Sequence, residues 1–269
     1  MDARDFYLAC QALEREGKIR SGVGTLGEKT LHNVLKRAVE PDTSCHEIPV
    51  GRYVADVRNA HGFFEIQTRS LYKLKEKAAF FLEQGPLTVV YPVFRENWLL
   101  YLDPQSGALS ERRKSPKRGC LTMVLPELYP LREFLFRPGF AVEAVLLDGE
   151  EIRLLDGEEI RLLDGEGPDK KHHATRYERI PTTFVESVRL ERPEDYFRLL
   201  PAELPREAMD SKTLSRLLHL RQALGAAASL TLRRAGVLES AGKRGRCNLY
   251  RFAVPESDKE NKEVQPCIL

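Results

Sequence analysis

The chain lacks paired cysteines. Cys10, Cys45, Cys120, Cys247 and Cys267 are odd in number, widely scattered and without a C-x-x-C, which argues against a zinc ribbon or a disulfide framework and leaves reduced thiols as the expectation. It also lacks any run near the ~18 apolar residues of a membrane helix. Met1 to Cys10 holds Asp2, Arg4 and Asp5 where a signal peptide would carry an apolar core, and Cys267 stands third from the end where prenylation needs it fourth. A cytoplasmic protein with no membrane partner is expected. Net charge is nearly absent too, at +2, but that figure averages an uneven distribution. From Arg206 to Arg251 there are ten Lys/Arg against three Asp/Glu, and from Arg112 to Arg118 five of seven residues are basic. Both stretches suit contact with phosphates. With 42% hydrophobic and 30% charged residues over 269 positions, the chain can bury a sizeable core and lies far from the composition of disorder.

Periodicity sets the order of elements. Phe6, Leu8, Ala9, Ala12 and Leu13 fall at mostly helical spacing, so residues 1–21 hold a short N-terminal helix. Gly22, Gly24 and Gly27 match G-x-G-x-x-G, but no apolar strand precedes them, and they read as a loop rather than a cofactor turn. Glu28 to Ala38 sets Leu31, Val34, Leu35 and Ala38 on one helical face, stopped by Pro41 and Asp42. Three strands follow at His46–Val50, Tyr53–Val57 and Phe63–Thr68, with a turn over Asn59–Gly62. A second helix, Leu71 to Gln84, ends at Gly85-Pro86, and Leu87 to Phe94 is a near-continuous apolar strand. Trp98 to Leu102 and the turn over Pro104–Gly107 open a further hairpin, and Leu128 to Phe136 reads as helical.

One segment repeats. Leu146–Arg153 recurs residue for residue at 154–161 and begins again at Leu162, a duplication spanning 146–167. Asp-Gly at 148, 156 and 164, flanked by apolar residues, is a hairpin signal, so the repeat reads as a lengthened β-meander. Its spacing is not that of a calcium loop. His172-His173 sits in a Lys-rich turn with no partner at metal spacing and reads as surface, and 255–269 reads as a disordered tail.

The carboxylates of the first half point to chemistry. Asp56 lies in an otherwise apolar strand, and Glu65 and Gln67 share one face of the next. If those strands pair through the turn, Asp56 comes near Glu65, and two carboxylates at ~4 Å repel by roughly 4 kcal/mol at an effective dielectric of 20. A hard divalent cation, Mg²⁺ or Mn²⁺, answers that repulsion, and Glu28 could add a third oxygen or position a water. The structural alternative is an Asp56 paired with Arg52, Arg58 or Arg69. His46 and Glu47 read as a solvated strand edge, the alternative being that they point into the same cleft as the carboxylates.

Gly27-Glu28 at a helix start, Val54-Ala-Asp56-Val, Phe64-Glu65-Ile-Gln67, an amphipathic helix and the strand Leu87-Thr-Val-Val-Tyr-Pro together resemble the core of the PD-(D/E)XK nuclease superfamily, over residues 22–98. The resemblance implies an α/β (α+β) class: a restriction-endonuclease-like mixed sheet with flanking helices, here followed by a β-rich extension over 99–190 and a linker over 191–202. It also implies metal binding by Asp56 and Glu65, help to the attacking water from Gln67, and a supporting Glu28. Gln67 departs from the lysine usual in that family. A neutral amide can orient water but cannot stabilise developing negative charge by its own charge. Lys73 or Lys77 on the following helix is the expected substitute.

Over 203–254, Asp210 and Ser211 cap a helix carrying Leu214, Leu217, Leu218 and Leu220, and a second helix, Gln222 to Arg234, ends at Gly236. Val237–Glu239, a basic turn at Gly242–Arg246 and Leu249–Phe252 then read as a hairpin. This resembles a winged helix-turn-helix, which implies DNA contacts from Arg221 just before the second helix, from Arg233 and Arg234 on it, and from Lys243, Arg244 and Arg246 on the wing. Ala226 to Ala228 offer few base-reading side chains, so backbone contact outweighs sequence readout in this reading. The expected function is a Mg²⁺-dependent endo- or exodeoxyribonuclease whose partner is DNA, a dimer being possible. The alternative is a catalytically inactive DNA-binding regulator or adaptor that retains the nuclease-like fold.

Overall fold

The computed structural model describes residues 1–17, 30–104, 106–155 and 174–253. Glu28, the glycines at 22–27, the Asp-Gly pairs at 156 and 164, His172-His173 and the tail lie outside the described residues. By internal packing the chain divides into two discontinuous units. One is formed by residues 1–68, 88–120 and 143–187, the other by residues 69–87, 121–142 and 188–269. The contiguous domains expected at 22–98, 99–190 and 203–254 do not coincide with these units.

The class is mixed α/β, a large sheet with flanking helices. Helix α1 (Ala3–Arg15) starts at the Asp2 cap, whose side chain accepts from the Asp5 N–H. Helix α2 (Thr30–Val39) buries Leu31, Val34, Leu35 and Ala38, the face its spacing predicts. Strands β1 (His46–Val50), β2 (Tyr53–Asn59) and β3 (Gly62–Ile66) form an antiparallel meander. The second helix opens as a 3-10 turn at Leu71–Leu74 and continues as α3 (Lys75–Leu82). Strands β4 (Leu87–Leu102), β5 (Arg113–Lys114), β6 (Phe140–Leu155) and β7 (Ala174–Leu190) join the same seven-stranded sheet, ordered β1-β2-β3-β4-β6-β7 with β5 on β4. The expected β-rich extension is therefore part of the core sheet. The Leu87 N–H donates to the Gly139 carbonyl, and eight residues on Arg95 reaches Asp148, so β4 and β6 run parallel. Glu143 meets Ser187 and Asp148 meets Thr182, so β6 and β7 run antiparallel. In the first unit Phe6, Leu13, Val34, Leu35, Ile66, Val90, Val145 and Leu147 close one apolar core.

Three local expectations are corrected. Trp98–Leu102 does open a hairpin, pairing with β5 after the turn closed by Asp103 and Ala108, but it is the far end of the 16-residue β4 and not a separate strand. Leu128–Phe136 is not a helix: α4 (Val124–Leu128) gives way to a 3-10 turn at Tyr129–Leu131, where Pro130 has no N–H to continue the ladder. Asp148-Gly149 lies inside β6 and not at a turn. The Asp148 carboxylate is held there by Arg95 at 3.0 and 2.5 Å and by the Glu96 N–H at 3.1 Å. Gly149 is needed because a Cβ would meet the Phe94 ring at 2.3 Å and the Ile180 carbonyl at 2.5 Å.

In the second unit, β8 (Met209–Asp210), α5 (Ser211–Leu217), α6 (Gly225–Arg234), β9 (Leu238–Arg244) and β10 (Cys247–Phe252) follow in order, and the strands form a sheet ordered β8-β10-β9. Asp210 accepts from the Thr213 N–H at 2.8 Å, the cap that the sequence predicts. Helix α6 packs on α4 and α5, with the Thr122 and Thr231 hydroxyls donating to the Leu218 and Leu125 carbonyls at 2.6 and 2.8 Å. Gly225 allows the approach to α5, since a Cβ would lie 2.3 Å from the Ser211 carbonyl oxygen. Gly242 to Arg244 are strand and not part of the expected basic turn: Arg244 pairs with Cys247, so the turn is the two residues Gly245 and Arg246, with Gly245 at φ 61°.

Candidate functional site

Three acidic residues fall in one row across the meander. His46 pairs with Val57 and Ile48 with Ala55, which sets Glu47 opposite Asp56. Val57 pairs with Phe64, so the same row continues to Glu65. At that level β2 and β3 have left their regular ladder, and the carboxylates take over: the Ile66 N–H donates to Asp56 Oδ2 at 2.7 Å, and the Asp56 N–H donates to Glu65 Oε1 at 3.2 Å. The pair is thereby oriented by main chain, and Glu65 is buried.

Helix α2 lies against this row. His32 Nε2 stands 3.0 Å from Asp56 Oδ2, and Lys36 Nζ stands 2.6 Å from Glu47 Oε1. Residues four apart share a helix face, so one face supplies both nitrogens. Lys36 is 1% exposed, which makes it one of the largest wholly buried side chains of the chain. Glu47 adopts φ 52°, a left-handed conformation that non-glycine residues rarely take. The strand edge is thus solvent-facing on its outer side, as predicted, with Glu47 still 55% exposed, but its carboxylate is spoken for by the helix.

The sequence-predicted residues distribute as follows. Asp56 and Glu65 come together. The Gln67 N–H, just past β3, donates to the Val90 carbonyl at 2.9 Å, which fixes its backbone beside β4 in the same unit. Lys73 is exposed in the 3-10 turn of the second unit, and Lys77 of that unit has Nζ 5.5 Å from the Phe81 ring. Arg52 and Arg58 stack on Tyr53 and Phe63. Among the described residues no group of three or more His, Cys, Asp and Glu is placed to hold a metal ion. His32 and Lys36 were missed by sequence reasoning. Their i, i+4 spacing on the polar flank of α2 was the available signal.

Of the basic residues in the second unit, Arg221, Arg233, Arg234, Lys243, Arg244 and Arg246 are all exposed. Arg244 lies 3.6 Å from Asp210, and Arg234 donates to the Arg132 carbonyl at 3.4 Å. Arg221, Arg233, Lys243 and Arg246 have no carboxylate within 4.0 Å among the described residues. The outward face of α6 presents Ala226 and Leu230 between these arginines.

A second ionic cluster lies on the β6–β7 pair. Glu151, 2% exposed, accepts from Arg153 at 2.7 Å and Arg176 at 2.9 Å, with Arg179 at 3.6 Å. Burial alone would raise its pKa, but the three guanidiniums outweigh it and hold the carboxyl below the ordinary glutamate range. This ion cluster braces the long hairpin.

A protein of Treponema pallidum (strain Nichols), described as uncharacterized, is 26% identical over 247 residues, covering 88% of this chain and 90% of that protein. No solved structure matches the chain. No helix among the described residues is long and apolar enough to cross a membrane. Residues 29–191, more than half of the chain and including the whole acidic row with His32 and Lys36, match the family described as Domain of unknown function (DUF8091), and the protein belongs to that family.

Proposed function

We propose that the chain is a metal-dependent DNA nuclease, hydrolysing phosphodiesters at the acidic row of the first unit and holding DNA through the basic helix and wing of the second. The observation that carries this reading is the row itself, in which Asp56 and Glu65 are brought side by side and each is oriented by a main-chain N–H. Two such carboxylates suit Mg²⁺ or Mn²⁺, which keep most of their waters and need only one or two acidic ligands. When bound, the cation supplies an activated water and neutralises charge on the phosphate.

The protein's own groups do the rest. Gln67 orients the water through its amide. The positive charge that a lysine at 67 would bring comes from α2, where Lys36 faces Glu47, and His32 stands one turn away beside Asp56. The helix order around the meander, α2 before it and α3 between β3 and β4, supports the PD-(D/E)XK likeness. The strand and helix order of the second unit likewise supports the winged-helix likeness, with four uncompensated cations facing solvent.

The second reading, an inactive DNA-binding adaptor, is favoured by the burial of Glu65 and by Gln67. Cleavage decides between them. Supercoiled plasmid and labelled oligonucleotides incubated with the protein and Mg²⁺ or Mn²⁺ should be cut, and Asp56→Ala or Glu65→Ala should lower the rate at least about 100-fold. Inert wild type with intact DNA binding would establish the adaptor, and undiminished cutting by both variants would place the chemistry elsewhere.

A further inference from the structure

The basic run 112–118 belongs to the first unit and takes no part in the acidic row. Strand β5 is tied to β4 through Trp98↔Lys114 and Leu99↔Arg113, after a turn closed by the Asp103 N–H on the Ala108 carbonyl at 2.9 Å. All five of its cations, Arg112, Arg113, Lys114, Lys117 and Arg118, are exposed. Two carboxylates reach them: Glu150 lies 3.2 Å from Arg112, and Glu96 bonds both Lys114, at 2.7 Å, and Arg118. Arg113 and Lys117 have no carboxylate within 4.0 Å among the described residues. With the exposed Glu111 beside Arg112 counted as well, a surplus of two positive charges stands on this ribbon.

The ribbon also carries an indole. Arg112 Cζ lies 4.5 Å from the centre of the Trp98 ring and Lys114 Nζ lies 5.8 Å from it. Charge alone on a free strand edge would serve to prevent edge-to-edge pairing. A partly buried tryptophan clasped by two of the cations does not serve that end, because the part left exposed adds apolar surface to the edge. Cations in excess around an aromatic ring are the combination that tracks a phosphate backbone and stacks its bases.

We propose that the β4–β5 ribbon is a nucleic-acid-binding surface, gripping the backbone of the strand that the acidic row processes. The spacing fits. The Val90 carbonyl, which accepts from Gln67, and Trp98 lie eight residues apart on β4, about 26 Å at ~3.3 Å per residue. A DNA strand advancing ~3.4 Å per nucleotide covers that length with about eight nucleotides. The inference rests on the reading of this chain as acting on nucleic acid, but it concerns binding and not cleavage.

Trp98 is the single tryptophan of the chain, so its emission reports on the ribbon directly. A short DNA duplex and a single strand are titrated into the full chain without divalent metal, at several salt concentrations. The expected result is a saturable change in Trp98 emission whose affinity falls with salt. Arg113→Ala with Lys117→Ala should weaken binding about tenfold and lower the salt slope by about two, with the circular dichroism unchanged. No binding, binding without an emission change, or wild-type affinity and slope in the double variant would overturn the proposal. Equal emission changes with heparin or with anionic vesicles would overturn it as well, since the surface would then recognise any polyanion or a membrane. A protein that shows the Trp98 response but cuts nothing loses the nuclease reading and keeps this one. A protein that cuts with Trp98 silent does the reverse.

Discussion

Among the described residues, the buried polar ones of the first unit include Lys36, Glu65, Glu143 and Glu151, whereas those of the second are Thr122, Ser215, Ser229 and Thr231. The difference is one of cost. A buried hydroxyl needs a single acceptor, and each of those four donates to a main-chain carbonyl. A buried charge must be met by a full set of partners, or it costs several kcal/mol. In the first unit most partners come from far along the chain: Glu143 takes the Met1 ammonium and the Ser187 hydroxyl, and Glu151 takes Arg176 beside its near neighbour Arg153. Both units have apolar cores, but the second adds only local caps and hydroxyl bonds, whereas the first also buries charges that fit only when the sheet is complete. Charge burial of this kind is a poor way to gain stability, which is consistent with its concentration in the unit that carries the candidate chemistry.

The comparison is most exposed at Glu151. Removing the charge leaves three guanidiniums around a neutral group, so Glu151→Gln should cost about 3–5 kcal/mol at neutral pH. The carboxyl is held below its ordinary value when folded, so its stabilisation is complete above the unfolded value of about 4.3 and is lost as pH falls through the folded one. Wild type should therefore lose stability in that acid window, and Glu151→Gln should show a flatter acid limb. Denaturant unfolding followed by Trp98 emission, which reports on the first unit, measures both. An unchanged acid limb would mean that the cluster contributes nothing.

Smaller effects are expected from two glycines, one in each unit. Gly149→Ala drives a methyl into the Phe94 ring, and Gly225→Ala drives one into the Ser211 carbonyl; each should cost about 1–3 kcal/mol. Gly149→Ala should shift the Trp98 transition. Gly225→Ala should shift helical circular dichroism more than Trp98 emission, and identical shifts by both probes in both variants would show that the units unfold as one. The smallest effect belongs to Asp210→Ala, which removes the acceptor of the Thr213 N–H. That N–H holds the Asp210 carboxyl below the usual range, so the cap weakens on strong acidification and the variant should lose this pH dependence. Its thermal midpoint should fall by less than that of either glycine variant.

Much of the fold is legible in the sequence because it is set locally. The buried stripe of α2 follows from Leu31, Val34, Leu35 and Ala38, and the meander from three short β-rich runs around Asn59–Gly62. The continuation of β4 through Trp98 is not legible, because strand length there depends on neighbours β5 and β6 and not on a turn signal. Asp148-Gly149 misleads for the same reason: a dipeptide that favours a hairpin is overridden once Arg95 captures the aspartate and Phe94 fills the space beside the glycine.

The candidate site divides in the same way. Asp56 and Glu65 stand out as acids in apolar strands, and the cap at Asp210 and a tight basic turn within Gly242–Arg246 are written in adjacent residues. The sequence alone determined these, since helix caps, two-residue turns and alternating strands depend on neighbours a few positions away. Tertiary structure alone decided that Glu47 joins the row and that His32 and Lys36 face it, because cross-strand register and the side on which a helix lies are fixed by long-range packing, where a slip of one residue would turn every side chain to the opposite face.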